Sequence, residues 1–175
     1  DKAHPTRGFL TVSGTLAGEH VTVVVCHWPS RGADSFAREV AGRQVKELKD
    51  SLLRDDAKCK VIVMGDMNDD PSNRSMTECL MAKPEKNEVM KGEMYNPWYN
   101  TLVKEGRGTL YYRGAWNLFD QIVITPNLID YKDKARLKKL KYVKSDIARL
   151  PYLLNTEGRY SGTPHRTSAG GRWLN

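Results

Sequence analysis

The alternation of hydrophobic and polar residues predicts a β-hairpin at the start of the chain. Residues 8–13 (GFLTVS) and 20–27 (HVTVVVCH) are rich in β-branched residues and flank a short, glycine-bracketed connection. The second of these strands is apolar almost continuously from Val21 to Cys26. Such a run is typical of a strand that is buried on both faces.

A helix and a third strand are predicted next. Over 35–53, apolar residues recur at steps of three and four, which indicates an amphipathic helix with Asp34 or Ser35 as its N-cap. We expect Lys49 on its polar side with the other charged residues. Residues 60–65 (KVIVMG) have the length and β-branching of a buried strand. The order strand, helix, strand predicts a layered α/β domain.

The second half of the sequence gives weaker signals. Short helices are predicted over 73–82 and 96–106, and a strand (QIVIT) is predicted to begin at Asp120. The basic segment 131–144 partly alternates with period two, as an exposed edge strand does, and lysines there protect an edge against aggregation. The alternative for this segment is a basic nucleic-acid-binding module centred on Lys132–Lys144.

Length and composition limit the classes of protein to consider. A chain of 175 residues with 39% hydrophobic residues suits one globular domain, and no apolar run approaches the ~20 residues that cross a bilayer. The start, DKAHPTRGF, has no apolar signal segment. The net charge of +7 favours polyanionic partners, although lysine-rich surfaces also serve solubility. Three widely spaced cysteines fit neither a zinc knuckle nor a CxxC redox motif.

The first candidate for chemistry is GDMNDDP, which directly follows the strand over 60–65. Asp66 and Asn68 are two residues apart, so in extended backbone their side chains point the same way. A carboxylate beside an amide suits Mg²⁺, Mn²⁺ or Ca²⁺ and phosphate oxygens. An EF-hand loop is excluded, because Pro71 and Thr77 stand where it needs glycine and glutamate. An ordinary Asx-turn or helix cap remains an equal alternative.

Three further polar residues lie near strand ends. His27 closes its strand and has the chemistry of an acid, a base or a phosphate donor, although a histidine hydrogen-bonded at a strand end is the more common case. Arg31 is either a phosphate ligand or a surface arginine. Asp120 begins a strand among apolar neighbours, where a carboxylate needs a partner such as histidine, or it is simply a turn residue.

In this order, these motifs resemble the endonuclease/exonuclease/phosphatase superfamily, which includes deoxyribonuclease I. The resemblance rests on the segments VVVCHWPSR, VMGDMND and FDQIVI. The sequences of three further segments, HWPSR, YNPWY and TPHRT, are most similar to an uncharacterised bacterial branch of that family. It implies a partial deoxyribonuclease I-like four-layer α/β sandwich, with a mixed, mostly antiparallel sheet and flanking helices. It also implies a metal-dependent phosphoesterase of the nuclease or phosphatase type.

The resemblance implies a role for each residue. His27, Asp66, Asn68 and Asp120 correspond to catalytic positions: Asp66 would orient or deprotonate water, and His27 would donate to a phosphate oxygen. Asn68 would contact the substrate phosphate and hold Asp66, and Asp66 would be a weak ligand of Mg²⁺ or Mn²⁺, with Ca²⁺ as a further candidate. The phosphate contact expected of Arg31 rests on its own chemistry and position and not on the resemblance. Asp120 would orient a terminal histidine. Implied substrates are nucleic acid or a phospholipid or inositol phosphate head group.

Two family motifs are absent from this sequence: an early metal-binding glutamate, expected before His27, and a closing SDH, expected after the GG of 169–171. We therefore expect residues 1–175 to form a single, incomplete domain, roughly the C-terminal half. Such a half would expose an apolar sheet face and would associate with a copy of itself or with the missing half. The alternative function is an inactive fragment that binds phosphate or polyanions.

Overall fold

The computed structural model describes residues 7–129 and 140–165, together with the backbone of two short strands beyond them. The strands are β1 (Leu10–Leu16), β2 (Glu19–His27), β3 (Lys60–Asp66), β4 (Ala82–Lys83), β5 (Met94–Tyr95), β6 (Leu110–Tyr112), β7 (Ala115–Asn117), β8 (Asp120–Ile124), β9 (Ser168–Ala169) and β10 (Arg172–Trp173). The α-helices are α1 (Ser35–Asp55) and α2 (Trp98–Val103). Single turns of π- or 3₁₀-helix occur at Ser75–Cys79, Lys86–Glu88, Pro126–Leu128, Pro151–Leu153 and Gly158–Tyr160.

One mixed sheet organises the molecule. Its six strands lie in the order β1-β2-β3-β8-β5-β4, and β6–β7 and β9–β10 form two separate hairpins. Within the large sheet β2 pairs in parallel with β3, and β4 in parallel with β5, while the other pairs are antiparallel. The predicted mixed α/β class is confirmed.

The strongest sequence patterns gave the correct elements. β1 and β2 form the predicted antiparallel hairpin, and α1 separates β2 from its parallel neighbour β3. The Asp34 carboxylate caps α1 by accepting a 2.8 Å hydrogen bond from the amide of Phe36, as one of the two predicted caps. β8 begins at Asp120, as the apolar run QIVIT indicated.

Several weaker predictions were wrong in the length of an element or in the burial of a residue. The predicted helix over 73–82 is only the π-helical turn Ser75–Cys79, and that over 96–106 shortens to α2. Lys49 is fully buried, because its ammonium group donates to the carbonyl of Gly92 and pairs with Asp50 at 2.6 Å. Of the basic segment 131–144, residues 131–139 lie outside the described residues, so the predicted edge strand is not tested there, and 140–144 has no regular secondary structure.

One face of the large sheet packs against α1 and forms the main core. Val24 of β2, Val61 and Val63 of β3 and Val123 of β8 contact this core, as do Ala41 and Val45 of α1, all almost without solvent exposure. The three cysteines are free thiols buried in this region. Burial raises the pKa of Cys26 to about 11, so its thiol stays protonated near neutral pH.

The opposite face of the same sheet is largely open. Register places Leu10, Val25, Met64 and Ile122 in one row across four strands, and three of them are substantially exposed: 63% for Leu10, 36% for Val25 and 41% for Ile122. The prediction that β2 is buried on both faces is therefore wrong. The apolar run correctly predicted a strand, but among the described residues little covers this side of it.

A short segment closes the open face at one end only. The amide of Leu140 donates to the carboxylate of Glu19 at 2.7 Å, and the amide of Tyr142 donates to the carbonyl of Leu128 at 2.8 Å. Tyr142 also meets the ring of Tyr95 edge-on, at 5.5 Å between centroids. Among the described residues, none of the helices has the length and apolarity needed to cross a bilayer.

The open face generates a prediction about association. We expect the 175-residue chain to self-associate at micromolar concentrations, because soluble monomers rarely expose apolar patches of several hundred Å². Val12 is 55% exposed on this face, so Val12→Lys should shift the distribution toward monomer in sedimentation or light-scattering measurements. Val103→Lys, at a 50% exposed position on α2, is the matched control. A wild-type chain that stays monomeric throughout would contradict the prediction.

Candidate active site

Three of the predicted residues share one row of the sheet. His27 ends β2 opposite Asp66 at the end of β3, and Asp66 in turn is opposite Asp120 at the start of β8. Residues that are direct partners on neighbouring strands project to the same face. This row continues the apolar rows of the open face, because Val25 and Ile122 lie two residues away along their strands. The polar row is thus the rim of the open face.

Gly65 makes this row possible. Its φ is +133°, and a Cβ built there would lie 2.0 Å from the carbonyl oxygen of Cys26. No side chain fits at that distance, so β3 passes β2 closely only because residue 65 is glycine. The next residues on the two strands are His27 and Asp66. The glycine of the GDMN motif therefore has a steric role directly beside the candidate catalytic pair.

The two carboxylate oxygens of Asp66 have different neighbours. Oδ1 accepts a 2.8 Å hydrogen bond from the amide of Asn68, which is an Asx-turn, and Oδ2 faces the imidazole of His27. Asn68 has a φ of +50° and donates from its side-chain amide to the carbonyl of Trp28 at 2.9 Å. The turn and the reactive position, which the sequence offered as alternatives, are compatible in one residue.

His27 and Asp66 are close without being bonded to each other. Nε2 of His27 lies 3.7 Å from Oδ2 of Asp66, and their side chains are 56% and 36% exposed. This separation exceeds hydrogen-bond distance, and both groups are open to solvent. A small anion or a water molecule can therefore approach both groups from the open face.

Asp120 is perturbed by its position in the row. The pKa of its carboxyl group is raised, first by partial desolvation and second by the charge of Asp66, while His27 acts in the opposite direction. Two carboxylates and one imidazole thus sit side by side with different environments. This pattern is typical of acid–base sites, although structural clusters also produce it.

Arg31 lies beside the row but bonds to protein acceptors. Its guanidinium group donates to the carbonyl of Asn68, to the side chains of Asn117 and Asn73, and to the carboxylate of Asp70. Its predicted role as a phosphate ligand stays a prediction, and this geometry gives it no direct support.

A buried polar network supports the loop behind Asp66, and sequence reasoning did not identify it. Asp69 pairs with Arg38 at 2.8 Å and accepts a 2.6 Å hydrogen bond from the hydroxyl of Ser75. Gln121 donates to the carbonyl of Asp69 at 2.8 Å and accepts from Asn96 at 2.7 Å. These partners are separated widely in sequence, so no local pattern connects them. Asp69 and Asp70 lie in the turn that follows the site.

The residues in place do not make a complete metal site. Across 7–129 and 140–165, no group of three or more histidine, cysteine, aspartate or glutamate side chains is arranged to hold a metal ion. Asp66 and Asp120 supply neighbouring carboxylates on one row, but two such ligands fall short of the six or more oxygens that Mg²⁺ or Ca²⁺ takes.

The sequence matches the Endonuclease/Exonuclease/phosphatase family over residues 1–175. A search of curated proteins found no match.

A comparison with solved structures found partial matches that include three chains of low sequence identity. The catalytic domain of human Nocturnin has 16% identity and a TM-score of 0.45, with 65% of this chain and 38% of that chain covered. A Bacteroides thetaiotaomicron endonuclease/exonuclease/phosphatase family protein has 18% identity and a TM-score of 0.42, with 62% and 36% covered. Staphylococcus aureus beta toxin has 21% identity and a TM-score of 0.41, with 69% and 43% covered. The chain thus spans well under half of each of these proteins.

The steric role of Gly65 predicts a large cost for Gly65→Ala. We expect the free energy of unfolding to fall by more than about 1 kcal/mol, because a positive φ and a backbone clash add together. Gly18→Ala is the control: Gly18 has a φ of +75°, but a Cβ built there would meet no atom of another part of the chain within 4 Å, so this variant carries the φ strain alone. Urea unfolding of the two variants measures the difference. Equal losses would show that the contact with Cys26 is unimportant.

The raised pKa of Asp120 predicts a pH-dependent gain in stability for Asp120→Asn. A carboxyl whose pKa is higher in the folded state destabilises that state once it is ionised, so the variant should melt at a higher temperature than wild type at pH 7. The difference in melting temperature between the variant and wild type should disappear below about pH 3, where the carboxyl group is protonated. Thermal melts between pH 2.5 and 8 measure this.

Asp146→Asn is the control of opposite sign for these melts. A hydrogen bond from Arg107 lowers the pKa of Asp146, so this variant should lose stability at pH 7. A loss of stability for Asp120→Asn at pH 7 would contradict the inferred environment of Asp120.

Proposed function

We propose, because the chain belongs to the endonuclease/exonuclease/phosphatase family, that it carries the acid–base part of a site that hydrolyses phosphate esters. Members of this family are generally phosphate-ester hydrolases, with nuclease-like activity among them. The observation that carries the proposal for this chain is the row of His27, Asp66 and Asp120 on the rim of the open face. The activity belongs to the whole protein of which this row is a part.

Asp66 is the proposed water-activating group. Its Oδ2 atom faces solvent beside His27, while Oδ1 is held by the amide of Asn68. The carboxylate is therefore fixed in one orientation, with one oxygen available to orient a water molecule or to take its proton. In-line attack of that water on phosphorus would form a new P–O bond and break the P–O bond to the leaving group. The leaving group would depart as an alcohol, and the other product would be a phosphate monoester from a diester or inorganic phosphate from a monoester.

His27 and Asn68 are the proposed phosphate-facing groups. Nε2 of His27 would donate a hydrogen bond to a phosphate oxygen whose charge grows in the transition state. Asn68 would contact the phosphate and hold the Asp66 carboxylate in place beside it, because its backbone amide donates to Oδ1 of Asp66. Asp120 would orient a further histidine, as carboxylates beside catalytic groups do.

A divalent ion is the proposed cofactor. Enzymes of this family usually use divalent metal ions, and Mg²⁺ or Mn²⁺, with Ca²⁺ as a third candidate, suit carboxylate ligands. The described residues do not complete such a site. The remaining ligands would have to come from outside the described residues or from a partner.

A nucleic acid or a phospholipid or inositol phosphate head group is the proposed substrate class. The net charge of +7 favours any of these anions over a neutral substrate. The open face favours pairing with a further sheet, either of a second copy or of the missing half.

The second candidate is a chain that binds phosphate or polyanions without hydrolysing them. It is favoured by one observation: among the described side chains, no group of three potential metal ligands comes together.

Asp66→Ala separates the two candidates. With bis(4-nitrophenyl) phosphate and Mg²⁺ or Mn²⁺, we expect this variant of the active protein to lose about 10²-fold or more of its kcat/KM, because it lacks the group that activates water. Asp55→Ala, on the exposed end of α1, is the control and should keep wild-type activity. Full activity of Asp66→Ala would refute the site assignment. No hydrolysis by the wild-type chain, with phosphate still bound, would favour the second candidate.

A further inference from the structure

Arg31 has four hydrogen bonds that together use most of its donors. Nε donates to the carbonyl of Asn68 at 3.1 Å, Nη1 to Oδ1 of Asn117 at 3.0 Å, and Nη2 to Asp70 at 2.9 Å and to Asn73 at 3.3 Å. A guanidinium group has five N–H donors in a fixed plane. Four of its five donor directions are therefore directed at the protein itself.

The flat face of the guanidinium group is also occupied. It stacks over the ring of Phe119, with the central carbon 4.3 Å from the ring centroid. The positive charge is balanced by Asp70 at 2.9 Å, with Asp69 at 3.7 Å. The guanidinium group thus offers an incoming phosphate little unpaired charge and few free donors, although the side chain is 40% exposed.

The acceptors of Arg31 lie on the two loops that carry the rest of the site. On the first, Asn68 is in the left-handed region with a φ of +50°, and its amide holds Oδ1 of Asp66. A bond to the carbonyl of Asn68 fixes the peptide in this uncommon conformation. Arg31 therefore acts on the orientation of the Asp66 carboxylate through one intervening residue.

The second loop leads into β8. Asp70, which is held by Arg31, also accepts a 2.7 Å hydrogen bond from the amide of Leu118, and the amide of Met67 donates to the carbonyl of Phe119 at 2.8 Å. Asn117 and Phe119 both contact Arg31, and they lie three residues and one residue before Asp120. One side chain thus connects the ends of all three strands in the row, since Arg31 itself follows β2.

We infer that Arg31 is a positioning residue, which holds His27, Asp66 and Asp120 at their mutual spacing instead of binding the substrate phosphate. The inference rests on the proposed function, and it assigns the arginine of the HWPSR motif a role different from the one that the sequence suggested. This positioning role needs a planar guanidinium group that donates in four directions, so a lysine ammonium group cannot replace it.

Arg31→Lys and Arg31→Gln in the 175-residue chain test this inference. If Arg31 positions the site, both variants lose the fork, and hydrogen exchange at the amides of Asn68 and Leu118 should accelerate by about tenfold or more. If Arg31 binds phosphate as a charge, lysine should retain most of the affinity for inorganic phosphate and glutamine should not. Exchange and phosphate titration are both measured by NMR.

Arg43→Lys and Arg43→Gln are the matched controls. Arg43 has a similarly exposed side chain (43%), its central carbon lies 5.4 Å from the centroid of the Phe36 ring, and it donates to Sγ of Cys79, so its partners are not on the loops that Arg31 joins. These variants should leave both amides and phosphate affinity unchanged.

Kinetics give a further readout where the wild-type protein hydrolyses bis(4-nitrophenyl) phosphate. A positioning role predicts that kcat falls by about 10- to 100-fold in both Arg31 variants, with KM within about twofold of wild type. A rise in KM and in phosphate Kd for Arg31→Gln alone, with normal amide exchange, would overturn the inference. Absence of activity in the wild-type chain would count against the proposed function only, because exchange still decides the role of Arg31.

Discussion

The close approach of β3 to β2 at Gly65 is the constraint on which the candidate site depends. A Cβ at this position would lie 2.0 Å from the carbonyl oxygen of Cys26, so any other residue forces the two strands apart where His27 and Asp66 end them. The loops that carry Asn68 and Arg31 start from these two strand ends. A local widening would therefore change every distance in the row, and its effect would reach well beyond the glycine itself.

The two faces of the sheet differ in how much of their apolar surface is covered. The face toward α1 is filled by close-packed aliphatic side chains, with Val24, Val61 and Val63 fully buried. The other face carries equally apolar rows that stay exposed and end at the polar row of the site. A second layer placed on these rows would also reach His27 and Asp66. Under the proposed function, a layer that covers the apolar face would therefore also complete the candidate site.

Much of the central fold was predictable because its signals are local. β-branched runs marked β2 and β3, the 3.6-residue period marked α1, and an apolar run after an acid placed Asp120 at the start of β8. The row of candidate residues followed from strand ends and from the family resemblance. The same local patterns do not predict whether one or both faces of β2 are covered, because a strand of either kind can have a continuous apolar run. They also missed the burial of Lys49, whose partner Gly92 lies in a distant loop.

The partners of Arg31 have a consequence for the order of folding. Its bonds join residues 37, 39, 42 and 86 positions apart in the sequence, whereas the β1–β2 hairpin and α1 close over short stretches. Contacts of large sequence separation cost more loop-closure entropy and form late. The hairpin and helix can therefore assemble first, and the site takes shape only when β8 has docked against β3. The spacing of His27, Asp66 and Asp120 would then be set at the last step of folding, and a partly folded chain would lack it.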